Sequence, residues 1–303
     1  MQDPTSLYRF EPGVDPAEAG AGVLVTSLGG FVDAGATQRA LTEHVIEVHE
    51  STVVATFDVD QLLDYRGRRP VMVFDRDHWS AYETPALHVH RVLDRAGTPF
   101  LMLAGPEPDY QWDRMVEAVR GLIDTLGVQL TVSVHGIPMA VPHTRPLGVT
   151  PHANSTRLLG EIEPVFGQVH VPGSFAGLLE LRLGDYGHDA MGYAVHVPHY
   201  LSQSEYPDAS LVALDALSGA TGLDFSRDAL AEAAVSTRAQ VAAELAENHE
   251  VQTLVAALEQ QFDAFQEGRR TPSPLTSSTG PLPSADEIGA DVEAFLRGVS
   301  DDG

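Results

Sequence analysis

The chain has 303 residues, 43% of them hydrophobic, so it is long enough to bury one large core or two ordinary ones. Its formal net charge is −25, and so acidic a surface repels phosphate backbones, which argues against general nucleic-acid binding. All 18 basic residues are arginines, and there is no cysteine. The absence of cysteine and lysine excludes disulfides, thiolate nucleophiles, cysteine-ligated zinc, Schiff bases and a P-loop lysine.

No apolar run approaches the length of a membrane span, about 18 residues. Residues 1–16 are polar and acidic, unlike the basic and then apolar start of a signal peptide. We therefore expect a soluble, cytoplasmic protein that does not bind membranes.

Strand and helix patterns alternate from the first apolar run to about residue 220. Short apolar runs predict strands at 23–28, 52–58, 71–74, 87–93, 99–104, 129–134, 169–171 and 190–197. Apolar residues spaced three and four apart predict helices at 36–49, 112–126, 174–183 and 208–220. The strands at 87–93 and 99–104 are close enough for a hairpin. This alternation predicts an α/β fold, a three-layer α/β/α domain whose sheet is mostly parallel and partly mixed.

The composition changes after residue 225, which divides the chain into four predicted parts. Residues 1–225 form the α/β core with an irregular N-terminal arm. Residues 226–268 are rich in Ala and Glu with a helical apolar stripe, which predicts a helical hairpin appendage. A Pro/Ser/Thr linker follows at 269–284, and a terminal helix and tail at 285–303.

Residues 135–146 are the most unusual stretch of the chain. They contain three prolines, two histidines and an arginine within twelve residues, directly after a predicted strand. Proline fixes φ and removes a backbone donor, so we expect a stiff loop and neither helix nor inner strand. Open α/β sheets bind ligands at such strand ends, which makes this loop the first candidate site.

Three further loops carry polar side chains at predicted strand ends. They are the glycine-rich turn at 29–35, the proline-containing loop at 105–112 and the corner at 198–200. Asp33 and Asp109 also suit capping of the helices that follow them, and Arg145 suits bracing of its own loop. The candidate ligand or partner site comprises Asp33, Glu107, Asp109, His143, Arg145, His199 and Tyr200.

Five blocks in these regions together resemble the bacterial branch of the proteasome assembly chaperone 2 family, over roughly residues 20 to 225. The blocks are LGGFVDAG (28–35), DYRGRRP (64–70), GPEPD (105–109), GIPMAVPHTRP (136–146) and PHY (198–200). The resemblance implies a three-layer fold of the purine nucleoside phosphorylase type and homo-oligomerisation. Eukaryotic relatives are chaperones of proteasome α-ring assembly. For the bacterial branch, the family offers no established catalytic residues to carry over.

Three functional hypotheses follow. The first is a non-catalytic assembly or interaction protein without a cofactor, which forms homo-oligomers and has a proteasome-related partner. It fits the absence of HExxH, GxSxG and P-loop motifs. The second is an enzyme or sensor for a nucleoside, phosphate or carboxylate, with His143 or His199 as acid–base and Arg145 on an anion. In it, the substrate is oriented by Asp33, Glu107 or Asp109.

The third hypothesis is a metal site built from histidines. Its ligands would be His135, His143, His152 and His199. No spacing among them matches a known ligand motif, and we therefore expect no metal.

Overall fold

The computed structural model describes residues 2–160 and 167–270. Its strands are β1 (Tyr8–Phe10), β2 (Val23–Gly29), β3 (Ser51–Phe57), β4 (Met72–Asp75), β5 (His78–Tyr82), β6 (His88–Leu93), β7 (Pro99–Pro106), β8 (Leu130–Met139), β9 (Val149–Ala153) and β10 (Asp189–Pro198). Its α-helices are α1 (Thr37–Val48), α2 (Trp112–Leu126), α3 (Phe175–Asp185), α4 (Pro207–Thr221), α5 (Asp228–Glu247) and α6 (His249–Arg270).

Eight strands form one mixed sheet in the order β1-β3-β6-β7-β2-β8-β10-β9. The four central strands, β7, β2, β8 and β10, run parallel to one another. The outer strands pair antiparallel, and β6 and β7 form the predicted hairpin. The predicted α/β class with a mixed sheet is confirmed.

Helices cover both faces of the sheet. Successive side chains of a central strand point to opposite faces, and both sets are apolar, so each face needs a covering layer. Leu103 of β7 packs in one core with Met115 of α2 and Phe175 of α3. Its neighbour Met102 packs in the other core with Leu41 of α1, together with residues of α4. This two-sided burial explains the continuous apolar runs of the central strands.

Cα packing divides the chain into two units, residues 1–258 and residues 259–303. In the first unit, α5 packs on α4 through a small buried cluster of Leu211, Leu230 and Ala234. The described part of the second unit is the latter half of α6. The predicted linker beyond residue 270 and the predicted terminal helix at 285–303 lie outside the described residues. Among the described helices, none is both long enough and apolar enough to cross a bilayer.

The prediction of a loop over all of residues 135–146 is wrong for their first part, because β8 continues to Met139. β2 pairs with β8 only as far as Ser133, whereas β10 accompanies β8 to its end. Beyond Ser133 no described strand pairs with one side of β8, as on an edge strand, where the missing N–H of Pro138 is tolerated. The remaining residues, 140–146, form the expected irregular loop.

Two further strand predictions need correction. Residues 169–171 are exposed and form no strand, because β9 occupies the edge of the sheet beside β10. The strand predicted at 71–74 exists as β4, but it pairs only with β5 in a separate two-stranded hairpin. We call residues 71–82 the arm.

Candidate functional site

The carboxyl ends of β2 and β10 are joined by main-chain hydrogen bonds. The amide of Gly35 donates to the carbonyl of Ser202 at 2.9 Å, and the amide of Tyr206 donates to the carbonyl of Gly35 at 2.9 Å. A solvent-open cleft of about 420 Å³ lies beside this junction. Among the described residues, its lining includes Asp33, Arg39, Ser202 and Glu205.

Asp33 caps α1, the alternative role that its position predicted. Its carboxylate accepts hydrogen bonds from the amides of Gln38 and Arg39 at 2.7 and 3.0 Å. The free amides at this helix N-terminus, which attract anions in many proteins, are thus occupied by a carboxylate of the chain itself. This arrangement disfavours a phosphate site here.

A glycine of β8 lets the turn after β2 approach the sheet. A Cβ atom on Gly136 would overlap the carbonyl oxygen of Ala34 and lie 2.5 Å from the hydroxyl oxygen of Thr37. The turn itself has two consecutive residues in the left-handed region, Gly35 at φ 71° and Ala36 at φ 50°. Gly136 therefore fixes where the cap of α1 meets β8.

Glu107 and Asp109 hold neighbouring segments together. Oε1 of buried Glu107 accepts a hydrogen bond from the amide of Phe175, the first residue of α3, at 2.6 Å. Asp109 accepts from the amide of Asp64 at 2.7 Å and pairs with Arg68 at 2.8 Å. Arg68 also donates to the carbonyl oxygen of Glu107 at 2.9 Å. These contacts connect the 105–112 loop to the segment before the arm and to α3.

The other four candidates lie at the ends of β8 and β10. The hydroxyl oxygen of Tyr200 lies 2.8 Å from the amide nitrogen of His143 and 2.7 Å from its Nδ1. The rings of His199 and Tyr200 are in contact, with centroids 5.5 Å apart. Arg145 is half-buried and donates to the carbonyl oxygen of Thr144 at 3.4 Å.

The seven candidates therefore fall into separate groups. Asp33 lines the 420 Å³ cleft, and the other six candidates are not among the described residues that line it. The contacts of Glu107 and Asp109 are those of structural residues. A role of the set in ligand or partner binding stays a prediction, and the geometry adds no support for an enzyme site at the strand ends.

The four histidines of the metal hypothesis also separate. His135 and His152 contact each other with ring centroids 6.2 Å apart, whereas His143 and His199 both contact Tyr200. Within the described residues, no three His, Asp or Glu side chains are arranged to hold a metal ion.

The arm is a feature that sequence reasoning missed. Every residue of β4 and β5 is exposed, yet the arm carries an apolar set of Val71, Met72, Val73, Phe74, Trp79 and Tyr82. The rings of Phe74 and Trp79 contact each other, with centroids 5.0 Å apart. The signal available in the sequence was a strand pattern with aromatic side chains, directly after the arginine-rich block DYRGRRP (64–70). Strand propensity alone does not tell whether such a pattern lies in the main sheet.

The comparisons with known proteins identify the family. The model of the PAC2 family matches residues 27–245. The chain belongs to the PAC2 family. This match extends from β2 to α5 and includes all seven candidate residues and the arm. A search of curated proteins gives no match.

Several solved structures resemble this PAC2 chain. The Mycobacterium tuberculosis protein Rv2714, of unknown function, is 40% identical, with a TM-score of 0.82 over 87% of this chain and 91% of that chain. A Corynebacterium glutamicum protein of unknown function is 37% identical, with a TM-score of 0.82 over 88% and 100%. The Mycobacterium tuberculosis proteasome-assembly chaperone homologue Rv2125 is 23% identical and shares the fold, with a TM-score of 0.69 over 78% and 99%.

Proposed function

We propose that this PAC2 protein is a non-catalytic assembly or interaction protein with a role like that of proteasome assembly chaperones. The observation that carries the proposal is the apolar arm, which offers a surface for another protein. The family, and the description of Rv2125 as a proteasome-assembly chaperone homologue, support the partner class.

The arm is costly to expose in an isolated chain. The side chains of Phe74 and Trp79 are 55% and 63% exposed, and they lie beside four other exposed apolar residues of the arm. Contiguous apolar patches of this kind typically mark interaction surfaces, and aromatic side chains are enriched in interface hot spots. A two-stranded hairpin is also marginally stable alone in water, so a partner would order it.

A groove at the base of the arm extends the same surface. It has a volume of about 780 Å³, and Tyr82 of the arm lines it together with Tyr8 and Tyr65. The hydrogen bond from the Tyr65 hydroxyl to Asp60, 2.6 Å long, raises the pKa of Tyr65 to about 12. Tyr65 thus remains a neutral, amphipathic contact beside a carboxylate. Such a composition suits a protein surface better than a phosphate ligand.

The partner class follows from the family resemblance and from this surface. We propose a proteasome subunit or related assembly protein as the partner, with homo-oligomerisation through the same arm as the state in its absence. A partner of this kind implies a cytoplasmic location. The arm would then be covered by a second copy of the chain in the homo-oligomer and by the partner protein in the complex.

The test compares the full chain with a Phe74→Ser/Trp79→Ser variant. Native mass spectrometry and light scattering would give the mass of each, alone and with purified proteasome α subunits of the same organism. We expect the wild type to form oligomers and to bind the subunits, and the variant to be monomeric and at least about tenfold weaker in binding.

The matched control is Val235→Ser, which removes an exposed apolar side chain of α5, away from the arm. It should leave mass and binding unchanged. A wild type that stays monomeric and does not bind proteasome subunits would contradict the proposal.

A further inference from the structure

The strand at one edge of the main sheet has an open side. β1 is the outermost strand there, and β3 is its neighbour. Leu7 accepts a main-chain hydrogen bond from the residue after β3 at 2.8 Å, and Glu11 donates one to β3 at 3.0 Å. Main-chain groups alternate along an antiparallel pair, so those of Arg9 face β3, whereas those of Tyr8 and Phe10 face outward. No described strand pairs with this outward side.

The strand at the other edge of the sheet is protected by a proline. β9 forms that edge, where the amide of Asn154 and the carbonyl of Gly148 bond to β10 at 3.0 and 2.9 Å. By the same alternation, Pro151 of β9 faces outward. It has no N–H to donate there, and proline on an edge strand opposes pairing with a further strand. β1 contains no proline, so β1 is the edge better suited to accept another strand.

The groove at the base of the arm provides room beside β1. Tyr8 and Arg9 of β1 line this groove of about 780 Å³. The rings of Tyr8 and Phe10 contact each other, with centroids 5.8 Å apart, and both residues are half-buried. A strand added next to β1 would place side chains against these rings, because residues on neighbouring strands pack in pairs.

The arm contains a strand that suits this position. Among the described strands, β4 and β5 pair only with each other, so the outer side of β4 is unpaired. Val71 and Val73 alternate along the chain with Met72 and Phe74, and all four are about half exposed. A strand with apolar residues on both faces is typical of the interior of a covered sheet. β4 has no such surroundings within its own chain.

The charges of the groove and of the arm tip are complementary. The groove is lined by Arg9 and by the carboxylates of Asp58 and Asp60. The arm tip carries Arg76 between two aspartates at 75 and 77. The side chain of Arg76 is 92% exposed, and its pair with the aspartate at 75 is as long as 3.9 Å. Arg76 of one copy can therefore pair with a groove carboxylate of another, and Arg9 with a carboxylate of the arm tip.

We propose that β4 of one copy adds to the open side of β1 in a second copy, with its side chains in the groove. Tyr82, the last residue of the arm, lines the groove of its own copy, so the arm and the groove adjoin in each chain. Two copies related by a two-fold axis can therefore exchange arms and cover both surfaces at one interface. This inference rests on the proposed function and names the surface that receives the arm.

The test uses engineered cysteines, because the chain has no cysteine of its own. Arg9→Cys places a thiol on β1 and Val73→Cys places one on β4, and both replaced residues are exposed. The two full-length variants are mixed and treated with a short bis-maleimide, which reaches between paired strands, where facing side chains lie roughly 5–8 Å apart. We expect a cross-linked dimer that mass spectrometry assigns to positions 9 and 73. Each chain carries one thiol, so a cross-link within a chain cannot form.

The matched control replaces Arg9→Cys with Val235→Cys, at an exposed residue of α5. The pair at 9 and 73 should give at least about tenfold more product than the pair at 235 and 73, because only the first pair lies on neighbouring strands. Circular dichroism would show that each variant is folded. Light scattering of the wild type needs no variant, and a two-fold exchange predicts an even number of chains.

Several results would overturn the inference. Cross-links between two copies of position 73, with none to position 9, would mean that the arms meet each other directly. Equal yields from the variants at 9 and 235 would mean that the products come from random collisions. Wild-type assemblies with an odd number of chains would exclude the two-fold exchange.

The failure of this inference can be told apart from failure of the proposed function. A chain that self-associates or binds proteasome subunits through its arm, but gives no product between 9 and 73, removes only β1 as the receiving surface. A chain that neither self-associates nor binds these subunits contradicts both.

Discussion

The hydroxyl group of Tyr200 makes two contacts with His143. The oxygen accepts a hydrogen bond from the amide of His143 at 2.8 Å and lies 2.7 Å from Nδ1 of the same residue. It thereby joins the irregular loop after β8 to the turn after β10. Both residues were chosen from the sequence for chemistry, and the geometry gives them a part in holding two strand-end loops together.

Tyr200→Phe should therefore destabilise the protein while leaving its shape intact. The change removes an acceptor from a partly buried amide, so we expect the free energy of unfolding to fall by about 1–2 kcal/mol. Urea unfolding monitored by circular dichroism would measure it. Tyr110→Phe, at an exposed tyrosine, is the control and should change this energy by less than about 0.5 kcal/mol. Equal effects of the two substitutions would contradict the assigned role.

Glu107→Gln tests whether this carboxylate is structural. Its charge lies at the N-terminus of α3, where it accepts from the amide of Phe175 at 2.6 Å. Loss of a buried charged acceptor at a helix N-terminus should lower the free energy of unfolding by about 1–2 kcal/mol. Glu83→Gln removes an exposed carboxylate before β6 and should have almost no effect. If thermal and urea unfolding of Glu107→Gln match the wild type, the carboxylate has some other role.

Gly136→Ala should be among the most damaging small substitutions in the sheet. The added methyl group would overlap the carbonyl oxygen of Ala34. This oxygen belongs to the backbone, so it cannot move aside by a side-chain rotation. We expect a loss of at least about 2 kcal/mol in the free energy of unfolding. Gly22→Ala is the matched control, because a Cβ atom at that position has no other atom within 4 Å. A Gly136→Ala protein as stable as Gly22→Ala would show that the turn after β2 does not press on β8.

The pKa of His135 predicts a specific acid sensitivity. In the folded chain burial lowers this pKa to about 4, whereas the unfolded value is about 6.5. The unfolded state therefore binds the proton more readily, and stability falls as the pH drops from about 6.5 to about 4. Between pH 6.5 and pH 4, the free energy of unfolding of His135→Gln should fall by about 1–3 kcal/mol less than that of the wild type. Parallel slopes for the two proteins in urea titrations at several pH values would refute this.

The fold was predictable because its signals are local and strong. The apolar stripe of α2 and the left-handed Gly127 that ends it are both visible in the sequence, and the helix is observed as Trp112–Leu126. The continuous apolar runs of β2 and β7 reflect burial on both faces of the sheet. The extension of β8 through Pro138 was not predictable, since it depends on where β2 ceases to accompany β8.

The candidate site was harder to predict, because residue type does not reveal a side chain's partner. Glu107 and Asp109 look like substrate ligands in the sequence, yet the amides of Phe175 and Asp64 bind them in the fold. Contacts between strands that are distant in the chain are equally hard to predict. Ser133 of β8 and His152 of β9 come together only across Gly192, which belongs to a third strand, β10.

The central claim is that the arm is the surface on which another protein binds. The most direct measurement places a photo-crosslinking amino acid at Trp79 in living cells of the source organism, with a second chain labelled at Val235 as control. We predict light-dependent adducts from position 79 with a second copy of the chain or with a proteasome-related protein, identified by mass spectrometry, and none from position 235. Absence of adducts at 79, or the same adducts from both positions, would contradict it.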